Sequence, residues 1–291
     1  MNGSPLLGTA TLESQLDDPR LRIFDATVHF ASGGKTRSGL SDWEAGHIPG
    51  SGFVDLPTEF SQSGAELPFT RPAAGQLDSI LGQLGIDSDS EIVVYSGTPA
   101  STMWATRLWW LFRSAGLANV ALLDGSFAKW KAEGRAVSTE PCCYAKTAGA
   151  AGLSKQDESW WASKDDVLSA IDDSGVCTLN ALPHGLFTGE LEMGYSRPGR
   201  ISGSRNAPFT GVLDPETGMF LGEDELREFF QVGGAAASDR VISYCGGGIA
   251  ATLTGFALRR IGHTNVAVYD GSLNEWSRDP ALPMEVGEEQ V

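Results

Sequence analysis

Basic residues are scarce in this chain. Lysine and arginine together number 21 against 37 aspartates and glutamates, a formal net charge of −16 over 291 residues. That shortage, with no long basic run, argues against nucleic acid or an anionic membrane as a partner, since both demand a positive surface. A small anionic substrate stays allowed, because it responds to the local field. Cysteine is scarce too. Four residues are too few for a disulfide scaffold, and a reduced, cytoplasmic location is expected. Long apolar runs are missing: the longest stretches are broken by Arg107 or Arg113, so no membrane span is expected. The opening MNGSPLLGTATLESQLDD has no basic region followed by an apolar one, so no secretory signal is read there. What is present is 41% hydrophobic and 9% aromatic, the composition of a globular chain with a full core and a length suited to about two domains.

The chain repeats itself. EIVVYSG (91–97) and RVISYCG (240–246) are β-rich runs that end in tyrosine, a small residue and glycine. ANVALLDGSFAKW (118–130) matches TNVAVYDGSLNEW (264–276), GHIPG (46–50) matches GRISG (199–203), and LRIFDAT (21–27) matches VCTLNAL (176–182). Short Val/Ile runs alternate with segments of helical period; Ile249, Leu253, Phe256, Ala257 and Ile261 share one face. Gly262 sits where a left-handed helix cap is expected, and Gly116 occupies the matching place. Strand–helix alternation predicts an α/β fold in two tandem domains, each a mainly parallel sheet flanked by helices on both faces. The boundaries read as 1–137, a linker at 138–157, and 158–291, with SKDDVLSAI (163–171) a capped helix opening the second copy. Trp130 and Trp276 are expected as matched core anchors. Asp25 and Asp124 are expected to end strands and pin loops.

Cys245 stands in Tyr244-Cys245-Gly246-Gly247-Gly248-Ile249-Ala250, directly after a strand and before a helix. In an open parallel sheet that edge is where ligands bind. Glycines let successive N–H groups point into one concavity, and the helix adds its positive end, so a thiolate is favoured. Taken alone, a cysteine beside glycines reads as a buried structural residue; the strand–turn–helix placement favours a nucleophile. Three other chemistries compete. Gly246-x-Gly248-x-x-Ala251 fits a dinucleotide fingerprint, but only 21 residues follow Asp270 (291 − 270), too few for a nucleotide-binding half. A cysteine phosphatase needs arginine six positions after the cysteine, and Ala251 stands there. A cysteine–histidine hydrolase would need His29, His47, His184 or His263 as base, and no motif positions any of them. His47 reads as a residue that orders its turn.

From about Leu21 to Met284 these motifs, in this order, resemble the tandem rhodanese family, the thiosulfate and 3-mercaptopyruvate sulfurtransferases. The resemblance implies an inactive first domain, consistent with Ser96 where the second copy has Cys245. It implies that Cys245 takes a sulfane sulfur from a small anionic donor. The persulfide would be held by the N–H groups of Gly246, Gly247, Gly248, Ile249 and Ala250. The sulfur would pass to a thiol, a thioredoxin-like protein or cyanide, with no metal or organic cofactor. The uncharged Cys-Gly-Gly-Gly-Ile-Ala loop is similar to the mercaptopyruvate type, although Leu186 replaces one arginine of that type. Arg197 is then expected to bind the substrate carboxylate, with Arg200 a second candidate and Arg205 ordinary surface charge. The alternative is a non-enzymatic rhodanese-like binding or sulfur-relay module fed by a protein partner. Cys177 is expected to be a buried inert thiol, and Cys142-Cys143 to lie in the linker.

Overall fold

The computed structural model describes residues 5–31, 35–142, 144–147, 157–231 and 234–288. It contains two compact units. The first comprises Met1–Gly64, Arg71–Asp157 and Pro215–Met219; the second comprises Ala65–Thr70, Glu158–Asp214 and Phe220–Val291. Cys143 and much of the expected linker (148–156) lie outside the described residues.

Each unit is built on five parallel strands, numbered here in chain order. In the first they are β1 (Leu6–Leu7), β2 (Leu21–Asp25), β3 (Ser51–Phe53), β4 (Glu91–Tyr95) and β5 (Val120–Leu123), arranged β1-β5-β4-β2-β3. In the second they are β6 (Trp161–Ala162), β7 (Val176–Asn180), β8 (Arg205–Asn206), β9 (Arg240–Tyr244) and β10 (Val266–Tyr269), arranged β6-β10-β9-β7-β8. The two orders are the same permutation, so the internal repeat is a repeat of topology. The central strands read as nearly continuous apolar runs because both faces are covered: Ile92–Tyr95 and Val241–Tyr244 are wholly buried.

Matched residues perform matched tasks. The Tyr95 hydroxyl meets Ser51 Oγ at 2.9 Å, and that of Tyr244 meets Ser204 Oγ at 2.8 Å. The indole of Trp130 donates to Ala136 O and that of Trp276 to Pro283 O, and both rings are fully buried. The helices that follow β4 and β9 are α1 (Thr102–Ser114) and α2 (Ala250–Arg260). Each is followed by a left-handed glycine, Gly116 (φ 93°) and Gly262 (φ 95°). The capped helix at 163–171 is present as Lys164–Ala170, with a reciprocal box between Ser163 and Asp166. One expectation changes. The pattern gave α2 a single apolar face, yet every residue from Ala250 to Leu258 is buried. Phe209–Val212 and Glu223–Gln231 pack on the side away from the sheet, with Phe220 against Phe256 at 4.9 Å.

The stretch expected as a linker is, where described, a strap on the first unit. Ser138 pairs with His47, Tyr144 Oη takes the Ile23 N–H at 2.7 Å, and Thr147 N donates to Gly82 O. The ring nitrogens of His47 face Trp43 O and Glu140 O, and its ring stacks on Trp43 at 4.1 Å. This is the turn-ordering role expected of it.

Asp25 ends β2 and pins the next loop, accepting the Thr27 N–H at 2.8 Å and the Thr27 hydroxyl. Burial pushes its carboxyl up to about 6 against those opposing hydrogen bonds. In the second unit Asn180 stands at the same register and accepts the Leu182 N–H at 2.7 Å. A carboxyl whose folded pKa exceeds the unfolded value of 3.8 contributes its full share of stability below about pH 4. That share is lost as pH rises through 6, a difference on the order of 2–3 kcal/mol. Asp25→Asn is therefore expected to stabilise the protein at pH 7.5 and leave it little changed at pH 4. Urea unfolding at both pH values checks this; an equal effect at the two would refute it.

Candidate active site

Cys245 follows the last residue of β9, the middle strand of its sheet, and is 2% exposed. Its loop rests on the segment after β10. Ser272 Oγ accepts the N–H of Cys245 and the N–H of Gly248, each at 3.1 Å, and donates to Tyr269 O at 2.7 Å. Leu273 N donates to Cys245 O, and Asn274 N to Gly246 O at 2.9 Å. The loop carbonyls are thus drawn toward the β10 side. To place its hydroxyl there, Ser272 holds φ at 48°, a left-handed conformation that a non-glycine residue adopts at a cost of about 1–3 kcal/mol.

The three glycines have separate reasons. A Cβ on Gly246 would overlap the Tyr195 hydroxyl; one on Gly247 would stand 2.8 Å from Asn274 Nδ2 and 3.7 Å from the Phe69 ring. Gly248 has φ 74°, where a side chain is strained. Of the five N–H groups expected to face a substrate, that of Gly248 is committed to Ser272. Those of Gly246, Gly247, Ile249 and Ala250 make no hydrogen bond among the described residues. Four free donors at the start of an eleven-residue helix form an anion-receptive edge. Cys245 directly precedes those donors in the chain.

Arg197 and Arg200 do something other than expected. The Arg197 guanidinium donates to four backbone carbonyls, those of Trp276, Ser277, Asp279 and Leu282, at 2.6–3.1 Å. Arg200 is 3% exposed and donates to Gly287 O and Glu288 O. It pairs with Glu285 at 3.1 Å and lies over the Phe187 ring at 4.5 Å. Both guanidinium groups are engaged by the C-terminal segment. Arg205 lies on the edge strand β8 and is exposed. In this unit His184 bonds Asn206 and Glu288, and His263 bonds Ser238 O. No hydrogen bond joins either of them to the Cys245 loop, and the hydrolase reading loses its candidates there. Cys177 is buried, as expected, and Cys142 is partly buried.

Sequence reasoning missed Ser272, Tyr195, Asn274 and Phe69. The recurrence of Asp-Gly-Ser at 124–126 and 270–272 pointed at Ser272, but only as a repeat. Nothing in the local pattern marks Tyr195. Phe69 comes from the short segment Ala65–Thr70 that the second unit takes in, and it too has a left-handed backbone (φ 61°).

Residues 9–133 and 188–279 match the family model described as the rhodanese-like domain. The thiosulfate sulfurtransferase of Cricetulus griseus is 31% identical over 261 residues, 89% of this chain and 85% of that protein. The 3-mercaptopyruvate sulfurtransferase of Rattus norvegicus is 29% identical over 278 residues, 93% of this chain and 91% of that protein. Among solved structures, the 3-mercaptopyruvate sulfotransferase SseA of Escherichia coli aligns with a TM-score of 0.82 at 26% identity, covering 92% of this chain and 98% of that one.

Two substitutions test the geometry. Ser272→Ala leaves two buried N–H groups without their acceptor and should cost about 1–3 kcal/mol. Arg197→Ala removes four hydrogen bonds to backbone carbonyls, leaving those of Ser277 and Leu282 without a donor among the described residues, and should lower the thermal midpoint by several degrees, on the order of 2–3 kcal/mol. An unchanged thermal midpoint for Arg197→Ala would return that side chain to the substrate.

Proposed function

Because the chain belongs to the rhodanese family, we propose that it is a sulfurtransferase using Cys245 as the sulfur carrier. The Cys245 thiolate attacks the sulfane sulfur of a small donor. A new S–S bond forms at Cys245 while the donor's bond to that sulfur breaks, and the electron pair departs with the donor remainder. From thiosulfate the remainder is sulfite; from 3-mercaptopyruvate it is the enolate of pyruvate, which takes up a proton. A thiol, a thioredoxin-like protein or cyanide then removes the sulfur, giving ping-pong kinetics.

One observation carries this reading: a buried cysteine at the carboxyl end of a central parallel strand, beside four uncommitted loop N–H groups. Those donors suit the negative charge that a thiolate or a persulfide carries. A loop without cations fits the singly charged carboxylate of 3-mercaptopyruvate better than the thiosulfate dianion, and that donor is the substrate we assign. With Arg197 and Arg200 engaged elsewhere, the donor's charge falls to the loop amides. The intact cysteine and glycine loop favour an enzyme over a pure binding module, which has no need of the nucleophile. A reducing, cytoplasmic setting belongs to the same reading, because there Cys245 stays a thiol until a donor arrives.

Incubated with 3-mercaptopyruvate, the wild-type protein is expected to gain the mass of one sulfur atom, and Cys245→Ser is expected to gain none. A wild-type thiol left unmodified by both donors would refute the reading. A kcat/KM for thiosulfate far above that for 3-mercaptopyruvate would overturn the donor assignment alone.

A further inference from the structure

Tyr195 reaches the Cys245 loop from outside any regular element, and its neighbours hold it there. Ser196 N donates to Ser277 Oγ at 3.2 Å, and Arg197 is fastened to four carbonyls between Trp276 and Leu282. The backbone of Ser196 and the side chain of Arg197, both anchored next to Tyr195, therefore fix where its ring can stand. The hydroxyl lies against the Cα of Gly246, so closely that no side chain fits at that position. The residue before Gly246 is the nucleophile.

The phenol proton has no strong acceptor. Tyr195 Oη makes one hydrogen bond among the described residues, to the thioether of Met193 at 3.8 Å, and thioether sulfur is a weak acceptor. A tyrosine largely withdrawn from water ordinarily finds a good one. Burial, and next the charge of Cys245, hold the Tyr195 hydroxyl well above its ordinary pKa. It stays protonated across the working range, which makes it a donor and not a base.

We propose that Tyr195 donates its O–H to the sulfur carried at Cys245, stabilising first the thiolate and then the negative end of the loaded persulfide. The persulfide half rests on the sulfur-carrier reading above; the thiolate half does not. Arg197 thereby becomes a positioning residue, acting on the sulfur only by holding Tyr195 over the loop. Sulfur anions accept O–H and N–H donors alike. The phenol thus supplies a fifth donor beside the four loop amides and replaces the one spent on Ser272.

The test reads Cys245 without any sulfur donor. Alkylation of the full-length protein by iodoacetamide is followed against pH, with the Cys245 peptide quantified by mass so that the other cysteines do not contribute. Tyr195→Phe keeps the ring and removes the proton, and should raise the pH midpoint of alkylation by about one unit at an unchanged thermal midpoint. Gly246→Ala, whose methyl displaces the hydroxyl, should raise it similarly with Tyr195 intact, and carries the test if Tyr195→Phe does not fold. Met193→Leu removes only the thioether and should leave the midpoint in place. Equal midpoints for wild type and the folded Tyr195→Phe protein would overturn the proposal, as would a Met193→Leu shift as large as that of Tyr195→Phe. If neither wild type nor variant takes up sulfur while the midpoints still differ, the sulfurtransferase reading fails and the role of Tyr195 stands.

Discussion

One hydroxyl organises the Cys245 loop of the second unit. Ser272 Oγ accepts two loop N–H groups and donates to Tyr269 O, so one atom ties the Cys245 loop to the end of β10. The geometry requires a strained backbone, φ 48°, which persists because the surroundings over-determine it. With the loop fixed at both ends, its carbonyls take donors from Leu273 and Asn274 and four N–H groups are left free. The glycines follow from the same constraint. A loop held this close to Tyr195, Asn274 and Phe69 has no room for side chains at 246 and 247.

The fold was legible because its signals are local and recur. Val/Ile runs of strand length, followed each time by a helix and a capping glycine, give a parallel α/β unit. Finding them twice in one order gives the shared strand permutation. Cys245 was legible for a related reason, since strand, cysteine, glycines and helix are contiguous in the chain. Its partners were not. Tyr195 lies 50 positions before Cys245 (245 − 195) and meets it through backbone anchored by residues near 280. The arginines show the same limit. A guanidinium in sequence carries charge but no destination, and whether it meets a substrate or a carbonyl depends on chain that arrives much later. Arg197 and Arg200 found carbonyls at 276–288, because a closing segment with unpaired C=O groups is itself a strong demand for donors.

Comparing the units separates what the fold needs from what the chemistry needs. The tyrosine–serine pairs, the buried tryptophans and the glycine caps occur in both, and they are scaffolding. Ser126 shows a remnant. It sits where Ser272 sits in the other copy and shares its left-handed backbone, φ 63°, yet its buried hydroxyl makes no hydrogen bond. Asp25 marks a divergence in the other direction, a carboxyl burdened by burial where the second unit holds a neutral amide.

The turn after β4 shows why the division of labour is not reversible by a single residue. Gly97 N donates to Thr27 Oγ1 at 2.6 Å, and the third residue after Ser96 is Pro99, which has no N–H to offer. The Ser96 hydroxyl itself is turned onto Thr98 O. A sulfur atom installed at that position would enter a turn with fewer donors to offer, since the N–H groups of Gly97 and Ser101 are engaged and Pro99 has none. The two copies therefore differ at this turn in main chain as well as in side chain. A cysteine placed at 96 alone would not reproduce the set of N–H donors around Cys245.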